Sequence, residues 1–447
     1  MRRRGRRQRE ASARDGNRFG HRRWTVVDSP AVRIPHSVLP ADPLVRSLVT
    51  QSVLSAFGTG TFLTGTAVFF TQIVGLTGAQ VGLGLSFSAI VTVVLSIPIG
   101  RFTDRVGAKR LWIAAATCEA LLYLAWPAIS GFVLFVAMLS VLAVVEASGQ
   151  SARNVYRIAV FPRETRVNAL ARMRAARNVG YTLGAGASGV ALGIGTHAAI
   201  IAVPLLTGCL LLVNAGMVTR LPQLPQVEQP AATVGEELHV GGPAWRNLGF
   251  VALSFTNGVL TSNQVLLNVV VPLWLVERTD APKVLLAWLF GTNTVLAVLL
   301  QVRASRGAET VPGALRAVRR SGWAFVISCG VIAVTHDTVG WVSIVLIWAG
   351  HVTITGAELW QSASDWGFTS ELSDPRRLGD YQGIWSLGHQ VEPIVFPALY
   401  TFLALQVGAV GWAVIAAIGV AAAVASHPAA HAAQRYAERF VAQPSPT

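Results

Sequence analysis

Gly100-Arg101-Phe102-Thr103-Asp104-Arg105-Val106-Gly107-Ala108-Lys109-Arg110 stands as a charged island between two long apolar segments. No open backbone survives inside lipid, so a polar stretch this short reads as a hairpin turn at a membrane surface. Gly100 and Gly107 permit close approach and a positive φ. Asp104 follows Gly100 by one helical turn, and Arg105, Lys109 and Arg110 form a basic rim.

The rest of the chain fits a membrane setting. Its 447 residues are 52% hydrophobic and 13% charged, with mean hydropathy +0.51, too apolar for a soluble globule. Twelve segments are long enough to cross a ~30 Å hydrocarbon core at ~20 residues each. They lie near 47–73, 79–100, 111–129, 131–152, 170–194, 197–219, 247–276, 282–302, 321–336, 340–363, 380–404 and 406–427, with Gly/Pro interruptions near 246 and 380. The expected fold is all-α and integral to the membrane, twelve helices in two six-helix bundles.

The net charge of +14 invites a nucleic-acid reading, since 12 of the 36 basic residues lie in residues 1–46. Distribution argues against it. With a cytoplasmic N-terminus, 31 of the 36 fall in inside loops and tails and three more, Arg172, Arg174 and Arg177, near the inner end of span five, leaving Arg278 and Lys283. This asymmetry implies an even number of spans, both termini cytoplasmic, and a multi-pass protein of the plasma (inner) membrane. The Arg-rich tail, 1–46, reads as disordered and suited to anionic lipid; it is too long and charged for a signal peptide. Cys118, Cys209 and Cys329 fall in separate spans with no metal spacing, and read as small core residues.

A proline-rich run, Arg220-Leu-Pro-Gln-Leu-Pro-Gln-Val-Glu-Gln-Pro230, forbids helix and marks a cytoplasmic linker over 220–246. It divides a bundle at 47–219 from one at 247–427, with a C-terminal tail at 428–447. A weak echo relates the halves: Glu146-Ala-Ser-Gly-Gln-Ser-Ala resembles Glu358-Leu-Trp-Gln-Ser-Ala, and each precedes a Pro-Arg pair, Pro162-Arg163 and Pro375-Arg376. Polar residues concentrate in spans one (Gln51, Thr59, Thr61, Thr66, Gln72), four (Gln150), seven (Asn257, Asn263, Gln264, Asn268) and ten (Trp360, Gln361). Unpaired polar groups avoid lipid, so these spans should line a water-accessible cavity.

The stretch from Gly100 to Arg110 resembles the signature loop between helices two and three of the major facilitator superfamily. The resemblance implies two bundles that alternate access to a central cavity lined by spans one, four, seven and ten. It also implies that Asp104 and Arg105 join a helix-dipole latch closing the cytoplasmic side. The corresponding loop of the second half, Arg303-Ala-Ser-Arg-Gly-Ala-Glu-Thr-Val-Pro, lacks the Asp and second Gly, so the latch is one-sided. Gly180, Gly184 and Gly189 in the fifth span look like a degraded glycine motif of drug/proton antiporters, and serve equally for close helix packing. The in-membrane arginine of those antiporters has Glu146 in its region here, with Arg153 at the end of the span.

Four carboxylates fall within spans: Glu119, Glu146, Glu358 and Glu392. Each needs a cavity, a partner or a proton. Glu146 and Glu358 are the first candidates for proton coupling, and each could instead make a structural hydrogen bond. His389 and Glu392, three residues apart, can pass a proton or form a quiet buried pair. Glu119 has no evident partner. Without a Walker, zinc-protease or nucleophile-elbow motif, the chain reads as no enzyme, with no cofactor or metal beyond a proton gradient. The expected function is proton-coupled efflux of a small organic compound, amphipathic or cationic, by a monomer. The alternatives are uptake of a sugar, peptide or metabolite, and a non-transporting sensor or lipid-handling protein on the same scaffold.

Overall fold

A computed structural model describes residues 42–223 and 242–441. Most of the expected N-terminal tail and linker thus lies outside the described residues. Six helices precede the linker: α1 (Pro43–Val68, extended by a π turn to Ile73), α2 (Gly78–Val106), α3 (Ala108–Ala125), α4 (Phe132–Val160), α5 (Arg163–Ile194) and α6 (His197–Thr219). After it come α7 (Leu248–Leu260), α8 (Asn263–Val265), α9 (Val271–Arg278), α10 (Leu285–Ala304), α11 (Val311–Val334), α12 (Trp341–Leu372), α13 (Leu378–His389), α14 (Val391–Phe402) and α15 (Ala409–Val441). Segments α7–α9 form one continuous rod, as do α13–α14, so these helices run as twelve rods.

Among the described residues, nine rods are long and apolar enough to cross a membrane by length and composition. α5 is not among them, because Arg172, Arg174 and Arg177 occupy its middle. Large apolar side chains such as Leu83, Ile90, Val133, Val190, Leu299 and Val424 stand exposed on outer faces, as a lipid-solvated protein requires.

Several expectations are corrected. The charged stretch is almost wholly helical: α2 runs through Val106, α3 begins at Ala108, and the turn is Gly107 alone, at φ +93°. An L side chain would be strained there. Helices overrun the apolar segments at this basic end. α4 ends eight residues later than read, α12 nine, α5 starts seven earlier and α11 ten. Helix continues where charged side chains find protein partners, whereas an apolarity scan stops at the first charge.

The C-terminal tail is likewise helical to Val441, with Ala429, Ala430 and Ala433 buried. Lys109 is no rim residue: it is buried, and its Nζ donates to the Leu221 carbonyl at 2.5 Å, tying α3 to the end of α6. Cys118 and Cys209 are exposed, leaving Cys329 as the cysteine in the core.

Each half has its own packed cores. In the first, Phe62, Phe69, Phe70, Tyr123, Trp126 and Phe135 cluster at the end away from Gly107. In the second, Trp274, Tyr400 and Trp412 anchor a larger one. Gly180 and Gly184 let α5 lie on α1, since a Cβ there would sit 2.3 Å from the Val53 carbonyl oxygen and 2.4 Å from that of Phe57. Gly189 has nothing within 4 Å and takes no part.

The halves meet at the basic end. α2 packs along α13, and its far half makes no comparable contact with α14, the continuation of the same rod.

Candidate functional site

Between the halves lies a cavity of about 640 Å³. α4 contributes Gln150, Asn154 and Arg157, and α5 contributes Arg174, Arg177, Asn178 and Tyr181. Opposite stand Gln264 and Asn268, Asn293 on α10, Glu358, Gln361 and Asp365 on α12, and Trp385 and His389 on α13. The rods α7–α9 and α13–α14 each carry a turn at or next to a lining residue, Thr261 in the first and His389 in the second.

α5 is therefore a major wall, and among the described residues α1 gives Gly60. The polarity of α1 has another cause. Ser52, Thr59, Thr61 and Thr66 each donate to the carbonyl four residues back, and Gln51 donates to Asn214 Oδ1 on α6 at 2.7 Å. Such hydroxyls satisfy themselves within the helix and do not require water.

Glu358 joins the halves. It accepts from Arg174 Nη2 on α5 at 2.8 Å and from Asn293 Nδ2 at 3.0 Å. The two ionic side chains are 27% and 7% exposed, so the pair is largely desolvated. His389 lies 3.4 Å from Asp365 Oδ1, which also accepts from the Trp385 indole, and its Nδ1 faces the Trp385 carbonyl. The carboxylate beside the histidine is thus Asp365. Glu392 lies beyond the helix break, outside the cavity lining.

Glu146 occupies a second cavity of about 120 Å³ inside the first half, with Ser55 and Thr59 of α1, Glu119, Gln150, Arg153, Arg157, Arg177 and Tyr181. Its Oε1 accepts from Tyr123 Oη at 3.0 Å. Glu146 and Glu358 each sit fourteen residues before the basic end of their helix, at matched depth, yet they face different cavities. Glu119 has a setting after all, on the same small cavity as Glu146. Arg153 lies well inside α4 rather than at its end, because that helix continues to Val160. Gln150, Arg157, Arg177 and Tyr181 border both cavities.

Other candidates are placed elsewhere. Asn257 is fully buried behind the wall and accepts from Gln361 Nε2 at 2.7 Å. Asn263 is buried and donates to the Leu260 carbonyl at 2.8 Å. Trp360 packs on the second half's core, and Gln72 is exposed on the π turn after α1.

At the basic end Asp104 reaches across to the N-terminus of α13. Its carboxylate accepts from the Gly379 N–H at 2.7 Å and the Asp380 N–H at 3.0 Å, groups that have no partner within their own helix. Gly100 and Gly379 permit this approach, since a Cβ on Gly379 would lie 2.0 Å from the Gly100 carbonyl oxygen.

Arg101, unremarked in the sequence, donates its Nε to Asp380 Oδ1 at 3.0 Å, and Asp380 Oδ2 accepts from the Ala244 N–H at 2.8 Å. Arg105 and Arg110 are exposed, and no bond of theirs is found among the described residues. A further clasp joins Arg163 at the start of α5 to Glu371 near the end of α12, with Arg166 donating to the Ser370 carbonyl at 3.2 Å.

The family model described as Major Facilitator Superfamily matches residues 48–391. Among solved structures, the chain is similar to a bacterial homologue of the iron transporter ferroportin in an outward-facing state, at 12% identity over 89% of this chain and 100% of that one, TM-score 0.63. It is similar to the human organic anion transporter MFSD10 at 14% identity over 86% and 99%, TM-score 0.60. The E. coli fucose:proton symporter FucP matches at 12% identity over 86% and 98%, TM-score 0.65. At such identities the likeness is one of fold. No curated protein matches the sequence as a relative.

Proposed function

The chain belongs to the major facilitator superfamily, a multi-pass membrane transporter and no enzyme, and from that premise we propose that it exports a small organic compound in exchange for protons. The observation that carries this reading is the set of carboxylates on the two cavities. Glu358 holds Arg174 of the other half at 2.8 Å, and Glu146 and Glu119 share the adjoining cavity. A proton arriving on Glu358 removes the charge that binds Arg174 and so loosens one half from the other. A carboxylate pair beside the same arginine-lined wall supplies a second place to hold and release a proton.

In this reading the basic end is cytoplasmic, and the described state is closed there by Asp104 on α13 and by Arg163 on Glu371. The cavity then communicates with the far side, where α2 and α14 part. Opening inward requires Asp104 to leave the α13 N-terminus and Arg101 to leave Asp380. Export is preferred to uptake because the polar cavity also presents Phe290, Trp366 and Trp385, apolar surface suited to the body of an organic compound.

Everted membrane vesicles test the proposal. Substrate accumulation should require an imposed pH gradient and fail in Glu358→Gln. Accumulation without a gradient, or undiminished in that variant, sinks the proton-coupling reading.

A further inference from the structure

We propose that the cargo is an organic anion, its carboxylate bound between Arg157 and Arg177 and its apolar body laid on the aromatic side of the central cavity. The proposal rests on the central cavity being the substrate site. It opposes the cationic cargo expected from sequence.

Four arginines border the two cavities. Arg174 is neutralised by Glu358, and Arg153 shares the small cavity with Glu119 and Glu146. Arg157 and Arg177 stand in the wall common to both cavities, and among the described residues neither has a carboxylate within ion-pair distance. Arg157 is 6% exposed and donates only to neutral oxygens, Gln51 Oε1 at 3.4 Å and Ser52 Oγ at 3.2 Å, while its Nε has no partner. Arg177 donates to Tyr181 Oη at 3.3 Å, with its guanidinium 5.7 Å from that ring.

A guanidinium keeps its proton, so these positive charges, Arg157 buried and Arg177 half-buried, stand without a carboxylate in ion-pair contact among the described residues. A carboxylate entering the cavity supplies both the charge and the acceptors, in the planar geometry that arginine matches. The opposite wall cannot do the same for a cation. Glu358 is held by Arg174 and Asn293, and Asp365 by His389 and Trp385. Phe290, Trp366 and Trp385 provide apolar surface, and about 640 Å³ suits a small drug-sized molecule.

The test uses the purified full chain and a panel of aryl and alkyl carboxylates, each paired with the amine of the same skeleton. Binding is read by calorimetry and by the shift in thermal unfolding. Saturable binding by carboxylates, at least about 10-fold tighter than by their amine partners, is expected. Arg157→Gln and Arg177→Gln should each weaken it about 10-fold or more, and Arg177→Lys should restore part of it. Amines binding as well as carboxylates, or no carboxylate binding at all, overturns the proposal on the unaltered protein, whatever the variants do. Equal carboxylate affinity in folded Arg157→Gln and Arg177→Gln overturns the assignment of these residues. Anion binding without proton-dependent flux would sink the transport reading and leave this site standing; proton-driven amine flux would do the reverse.

Discussion

Replacing Asp104 by Asn should unlatch the basic end. The carboxylate accepts two N–H groups of the first turn of α13, at 2.7 and 3.0 Å. Hydrogen bonds to a charged group contribute about 1.5–3 kcal/mol, neutral ones about 0.5–1.5 kcal/mol, and a charge at a helix N-terminus adds about 0.3–1 kcal/mol. Asparagine retains one acceptor oxygen and loses the charge. Because the residue is open to solvent, water replaces part of what is lost, leaving a net loss of about 1.5–2 kcal/mol. That shifts the closed-to-open ratio by about 10- to 30-fold, raising a minor state from ~1% to roughly 10–20%.

Spin-label pairs placed across the basic ends of α2 and α13, in a background without Cys118, Cys209 and Cys329, read this directly by pulsed dipolar spectroscopy. A second, longer distance should grow in Asp104→Asn. A distribution superimposable on that of the unaltered residue would refute the latch energetics.

Gly379→Ala should open the same end more completely, since its Cβ would meet the Gly100 carbonyl oxygen at 2.0 Å, and thiol reagents should then label a cysteine placed at Gln382. Exchanging the charges of the second clasp tests it separately: Arg163→Glu should lower transport, and Arg163→Glu combined with Glu371→Arg should recover it, with a coupling of about 1 kcal/mol in the double-mutant cycle. Lys109→Met should lower the unfolding midpoint, by about 1–2 kcal/mol of lost hydrogen bonding to the Leu221 carbonyl, while the folded fraction transports normally. Arg105→Gln, on an exposed side chain, should change neither stability nor flux.

The helical membrane architecture was legible because apolar runs are properties of single segments. Gly107 was legible too, since a one-residue turn between helices calls for glycine. What escaped were contacts between segments. Arg153 and Arg157, four apart, and Arg174 and Arg177, three apart, share helix faces at spacings visible in the sequence, yet charge reads as loop when span ends are set by apolarity. Here the charges face a protein-lined cavity, so the helices continue past them. Thr61 and Thr66 of α1 misled in the opposite sense, because a hydroxyl bonded to its own helix is polar in composition and silent toward the cavity. Arg101, Asp365 and Asp380 act through partners as far as 279 residues away in the chain, a pairing no local pattern encodes.

The central claim is that cargo and protons move through these two cavities in opposite directions. Its most direct measurement is proton flux itself, in liposomes holding the purified protein and a pH-sensitive dye. With no gradient imposed, adding a bound compound on one side should drive protons out toward that side, and Glu358→Gln should abolish the response. Cargo uptake with no accompanying proton movement, or movement in the same direction as the cargo, would contradict the account.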